Sequence, residues 1–155
     1  MILADLILVV ATALLFYAAL TDLKSFKIRN EAIVALLALF LFHAVASGRW
    51  THIGWNVGFA LLMLAVMLVF YARNWMGGGD VKLLAVAFLW TGLACALPFA
   101  LLLAVFAGMH AGAASLGWVR APGREGDARA RIAFAPSIAA ALIGVFALGC
   151  LSGPQ

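Results

Sequence analysis

Between residues 81 and 119 the chain carries one formal charge, Lys82, and is otherwise built almost entirely from Ala, Leu, Val, Phe and Gly. As one helix this stretch would reach about 58 Å at 1.5 Å per residue, roughly twice the hydrocarbon core of a bilayer. It must therefore fold back, and Gly92 and Pro98 are the helix breakers within it. Further apolar runs cover 2–20, 32–46, 54–71 and 134–151. With the fold-back placed at 91–98, giving spans at 81–96 and 98–118, the sequence predicts an all-α, polytopic bundle of six transmembrane helices. Composition agrees: 67% of the 155 residues are hydrophobic and only 10% charged, too few charges to coat a water-exposed surface. A soluble globular domain and a disordered chain are both excluded.

Local signals refine this reading. The first run has neither a basic segment before it nor an A-x-A cleavage site, so it reads as a retained span and not a signal peptide. Asn30 is placed to cap the second helix, and Pro136 suits the first turn of the last. Gly77, Gly78 and Gly79 cannot be comfortable helix interior. The whole of 1–155 reads as one integral-membrane domain. Cys95 and Cys150 sit in apolar runs without a CxxC pair, so neither a zinc module nor a disulfide framework is expected. His43, His52 and His110 are scattered with no HExxH, and no metal or organic cofactor is expected.

The net charge of +4 suggests nucleic acid only until the basic residues are located. Lys24, Lys27 and Arg29 follow span one, Arg73 and Lys82 flank the turn after span three, and Arg120, Arg124, Arg129 and Arg131 follow span five. Of the 10 Lys and Arg, only Arg49 falls on the other side. The positive-inside rule then places the odd-numbered loops in the cytoplasm and both termini outside, with no nucleic-acid role.

Asp22 follows span one and Asp80 precedes span four, so an outward and a return span bring both to the cytoplasmic edge. Two carboxyl groups at helix ends can form a dyad in which one takes a proton from water while the other donates to a carbonyl oxygen. Repulsion and partial desolvation push their pKa values apart, supplying an acid and a base together. The plainer alternatives are a polar helix end for Asp22 and an N-cap for Asp80. The glycines beside Asp80 favour the dyad, because they allow close approach of another chain and positive-φ backbone for an extended peptide substrate.

Gly77-Gly78-Gly79-Asp80-Val81-Lys82 resembles the GxGD motif of aspartic membrane proteases. The stretch Asp22-Leu23-Lys24-Ser25-Phe26-Lys27-Ile28-Arg29-Asn30 is similar to the first-aspartate segment of type IV prepilin peptidases, which typically ends Ile-Pro-Asn; here Arg29 replaces the proline. Ala133-Phe134-Ala135-Pro136-Ser137 is similar to the start of that family's last helix. The resemblance implies a membrane-embedded aspartic endopeptidase of the bacterial inner membrane. Asp22 and Asp80 would be its catalytic pair, and Asn30, Gly77, Gly78, Gly79 and Lys82 would line the active-site loops. It implies cleavage of a short basic leader from pilin-like precursors at the cytoplasmic face, without a cofactor. Lacking the cysteine-bearing insert of bifunctional members, the chain resembles the short members close to those of tight-adherence (Flp-type) systems.

Lys82 could act on the charge of Asp80 or help hold the site in register, but snorkelling to the interface is the expected role. His110, at membrane depth, is a functional candidate by position, although a hydrogen-bonded structural histidine is the commoner outcome. Gly54/Gly58 and Gly108/Gly112 are expected to pack helices within the molecule. Trp50, Trp55, Trp75 and Trp118 fit an aromatic belt, and the basic segment 120–131 fits lipid headgroups. The competing functional class is a small transporter or channel binding a cation or proton at the two carboxylates. Against it, both acids lie at one edge and not at the midplane.

Overall fold

The computed structural model describes residues 2–25, 28–48, 50–116 and 134–150. Lys27, Arg49, Trp118, the basic segment 120–131 and Ala133 lie outside them, as does the side chain of Trp50. The described residues form six helices and no strand: α1 (Ile2–Ser25), α2 (Asn30–Ala46), α3 (Trp50–Ala72), α4 (Gly78–Thr91), α5 (Ala96–Ser115) and α6 (Ala135–Ala147). Three segments are long and apolar enough to cross a membrane, Ile2–Lys24, Ile53–Ala72 and Ala96–Ala113.

Each helix begins and ends for local reasons. α1 and α2 run through Ala- and Leu-rich sequence with no interior Gly or Pro. α3 ends in a Schellman turn: the amide of Trp75 donates to the carbonyl of Phe70 at 3.0 Å and that of Asn74 to Tyr71 at 2.9 Å. Asn74 supplies the left-handed residue this turn needs, with φ 57°. The accompanying apolar contact is Phe70 against Trp75, 5.8 Å between ring centroids. α4 stops at Gly92, whose φ of 56° suits glycine and whose backbone lies so close to Asn56 that a side chain would overlap it. The expected fold-back thus falls at residues 92–95, and Pro98 sits in the first turn of α5, where a missing N–H costs little.

Packing closes a circuit of four helices. α1 lies against α2 and α6, and α4 also lies against α2 and α6, so α1 and α4 face each other diagonally without packing together. α3 sits outside on α4, and α5 outside on α6. α4 is the most enclosed element, buried at Val81, Leu83, Leu84 and throughout Val86 to Thr91. Its Trp90 fills the centre, with Nε1 donating to the Leu36 carbonyl of α2 at 3.2 Å. The outer helices instead expose their apolar side chains, as a lipid-facing surface would.

Several sequence expectations need correction. Arg29, not Asn30, is the N-cap of α2, and it caps without its side chain. Gly77, not Asp80, is the N-cap of α4. Among Gly77, Gly78 and Gly79 none has positive φ, so their use is space and not backbone freedom. The glycines of both GxxxG pairs meet nothing within 4 Å where a side chain would stand; they do not pack helices within the molecule. Finally, Cys95 and Cys150 are joined as a disulfide between the start of α5 and the end of α6. The two apolar runs that concealed them both finish at the same end of the bundle.

Candidate active site

The last turn of α1 and the first turns of α2, α4 and α6 share one end of the bundle, opposite the disulfide. Asp22 lies in that turn of α1 and is 5% exposed. Its Oδ2 accepts a hydrogen bond from the backbone N–H of Ala135, the first residue of α6, at 3.3 Å. The local cause is plain. α6 starts after Phe134, which offers no side-chain cap, so its free first-turn amides need an acceptor from elsewhere. A carboxylate there also complements the positive end of the helix dipole.

Asp80 stands on the diagonal helix, in the first turn of α4 just ahead of its apolar run and outside the three segments of spanning length. Burial pushes its carboxyl from an ordinary 3.8 up to about 7, and the charge of Asp22 acts in the same direction. The favourable dipole of a helix start, typically about 0.3–1 kcal/mol, is therefore outweighed. Among the described residues no hydrogen bond links the two carboxyl groups. They interact through space across the diagonal of the helix circuit.

The glycine motif makes room for this. A Cβ on Gly77 would stand 3.1 Å from Asp80 Oδ2, and one on Gly78 would stand 3.2 Å from the Tyr71 ring. Gly79 faces Ile28, where a Cβ would make ordinary contact at 3.4 Å. The two motifs thus touch each other, Gly79 from one against Ile28 from the other. A second tie runs beside it: Lys82 Nζ donates to Asn30 Oδ1 at 3.1 Å. Lys82 is not simply snorkelling, since it joins the start of α4 to the start of α2. Arg29 in turn contacts Glu31 at 3.2 Å and Tyr17 of α1 at 3.4 Å, all on the exposed rim.

Asp22, Asp80, Asn30, Lys82 and the three glycines are therefore gathered at one end. One feature escaped the sequence reading: the Ala135 amide, whose signal is a helix start lacking Ser, Thr, Asp or Asn at the cap. His110, a candidate by position, lies close enough to Asp22 for their charges to interact. Among the described residues, no three His, Cys, Asp or Glu side chains group as a metal site would require.

An acid held protonated near neutral pH beside an ionisable partner, at one end of a lipid-facing helical bundle, is what an acid–base hydrolase of the membrane needs. Residues 9–113 match the type IV leader peptidase family, and the chain belongs to that family. It is accordingly a peptidase acting on a protein substrate, of the prepilin-processing type in general. The match takes in both aspartates and His110 and stops short of α6. Neither the curated proteins nor the solved structures contain a match to the chain.

Proposed function

We propose that this chain is an aspartic endopeptidase that removes the short basic leader from Flp-type pilin-like precursors, using Asp22 and Asp80 at the cytoplasmic face of the bacterial inner membrane. The observation that carries this reading is the pairing across the helix circuit: Asp80 protonated near neutral pH because it is buried and faces the charge of Asp22. Asp22, whose carboxylate is held by the α6 amide, is the base; Asp80 is the acid. Water attacks the scissile carbonyl carbon while Asp22 takes its proton and Asp80 gives one to the carbonyl oxygen. The resulting gem-diol collapses as the C–N bond breaks. The new amine takes the proton held by Asp22, and Asp80 recovers its own from the hydroxyl.

The six-span topology follows from the same reading, with α2, α4 and α6 crossing inside a bundle whose outer helices meet lipid. Two independent features support the cytoplasmic placing. Among the described residues, the basic side chains Lys24, Arg29, Arg73 and Lys82 belong to helix ends on the aspartate side. The Cys95–Cys150 disulfide lies at the other end, and disulfides persist on the oxidising side of the membrane.

The test is co-expression with an Flp-type pilin precursor, read as the precursor's size shift on a gel. Asp22→Asn and Asp80→Asn should each abolish the shift while the protein still inserts. Processing retained by either variant overturns the dyad; ion flux in proteoliposomes without peptide cleavage would instead favour a transporter.

A further inference from the structure

His110 is the only ionisable side chain of α5, a helix otherwise made of apolar and small residues. Its Nε2 is buried and has no hydrogen-bond partner among the described residues. A buried polar nitrogen left unpaired is disfavoured unless another state of the protein uses it. Its surroundings indicate which state. α5 packs on α6, whose first amide holds one oxygen of Asp22, and His110 is within electrostatic reach of that same carboxylate. Asp22 thus has a donor from α6 on Oδ2 and an unused imidazole nearby on α5, while its other oxygen accepts from none of the described residues.

We infer that His110 is a positioning residue for the dyad, its imidazole completing the support that the Ala135 amide begins and holding Asp22 oriented and ionised to take the proton of water. The inference rests on the proposed roles of Asp22 and Asp80. It explains why a polar ring is placed on an outer helix that could have been wholly apolar. Among the described residues, the charged groups that could compete at this end of the helices packed on α5 are Asp80 and Lys82 of α4; α6 has none. Lys82 is engaged with Asn30 and Asp80 is the protonated acid of the proposed pair, which leaves Asp22 as the carboxylate for His110 to steady.

Purified protein in lipid nanodiscs, given a pilin precursor across a pH series, tests this. His110→Ala should lower kcat about tenfold with KM for the precursor unchanged, a part of the roughly 10²–10⁴ that a positioned base contributes. The acid limb of the kcat/KM profile, which reports the base, should move up. His110→Gln, which keeps a polar group at a similar reach, should recover part of the rate, whereas His110→Phe, which keeps the ring's bulk, should not. Equal rates in the Gln and Phe variants, or an unmoved acid limb in His110→Ala, would reduce His110 to a packing role and overturn the inference. If Asp22→Asn stays active under the same conditions, it is the dyad reading that fails.

Discussion

Replacing Asp80 by Asn should make the protein more stable above neutral pH while destroying its activity. An acid whose pKa is raised in the folded state costs nothing when protonated in both states, below about pH 4. As pH climbs, the unfolded chain ionises first, and the folded state loses stability until its own group ionises at about 7. The interval from 3.8 to about 7, at roughly 1.4 kcal/mol per unit, sets a ceiling near 4 kcal/mol. Partial solvent access and relaxation reduce this to about 1–2 kcal/mol. Asn is isosteric and cannot ionise, so at pH 8 it should raise the melting temperature by about 2–8 °C for a chain of this size. At pH 3, below both values, the two proteins should melt together. Thermal unfolding in detergent at both pH values, with precursor cleavage measured in parallel, checks this. Asp22→Asn should narrow the gap by less than half, since it removes the opposing charge but leaves burial, the larger cause, in place. An Asp80→Asn variant that is less stable at pH 8, or equally offset at both pH values, would refute the electrostatic account of the site.

Other consequences are more local. Gly77→Ala would bring a methyl group to 3.1 Å from Asp80 Oδ2; the carboxyl must shift by a few tenths of an ångström, and cleavage should fall about tenfold with normal insertion, since a full 1 Å displacement costs about a hundredfold. Arg29→Pro should leave processing intact and stability unchanged or up by about 0.5 kcal/mol, because φ −70° and ψ 133° at this residue already suit proline; a loss above about 1 kcal/mol in detergent melting would mean the rim contacts of Arg29 matter more than exposed pairs usually do. Cys95→Ser opens a link with sequence separation 55, worth at most about 4 kcal/mol of chain entropy and less where unfolded helices stay inserted. The variant should melt earlier, and its remaining Cys150, which is half-buried where Cys95 is fully enclosed, should react with an impermeant maleimide added outside the cell.

How much of this was legible beforehand depended on the kind of signal. Helices within lipid are announced by their length and by what interrupts them, so the fold-back near Gly92 and the break that ends at Gly77 could be read directly. Interruption says less about how a helix begins. Asn30 has the right chemistry for a cap, yet Arg29 takes the position because the extended backbone needed there lies one residue earlier, leaving the Asn30 side chain to accept from Lys82 52 residues away. The disulfide was hidden for a related reason. Cysteines are read by local spacing, and these two meet because of topology alone, at the turn after α4 and the end of α6.

The site shows the same division. Two aspartates in motif settings on one face could be identified from sequence order, because an even number of crossings returns the chain to the same side. Their unequal surroundings could not, because these come from residues with no chemical label: the amide of an alanine, the space above a glycine, the opposite corner of the helix circuit. α6 gathers these into one arrangement. Its uncapped start needs an acceptor and finds it in Asp22, its body packs against both α1 and α4, and its far end is tied to α5 by the disulfide. A helix held at its far end by a covalent link and at its near end by Asp22 is a spacer between the two carboxyl groups. On that argument α6 sets the separation of Asp22 from Asp80, although it carries no ionisable side chain.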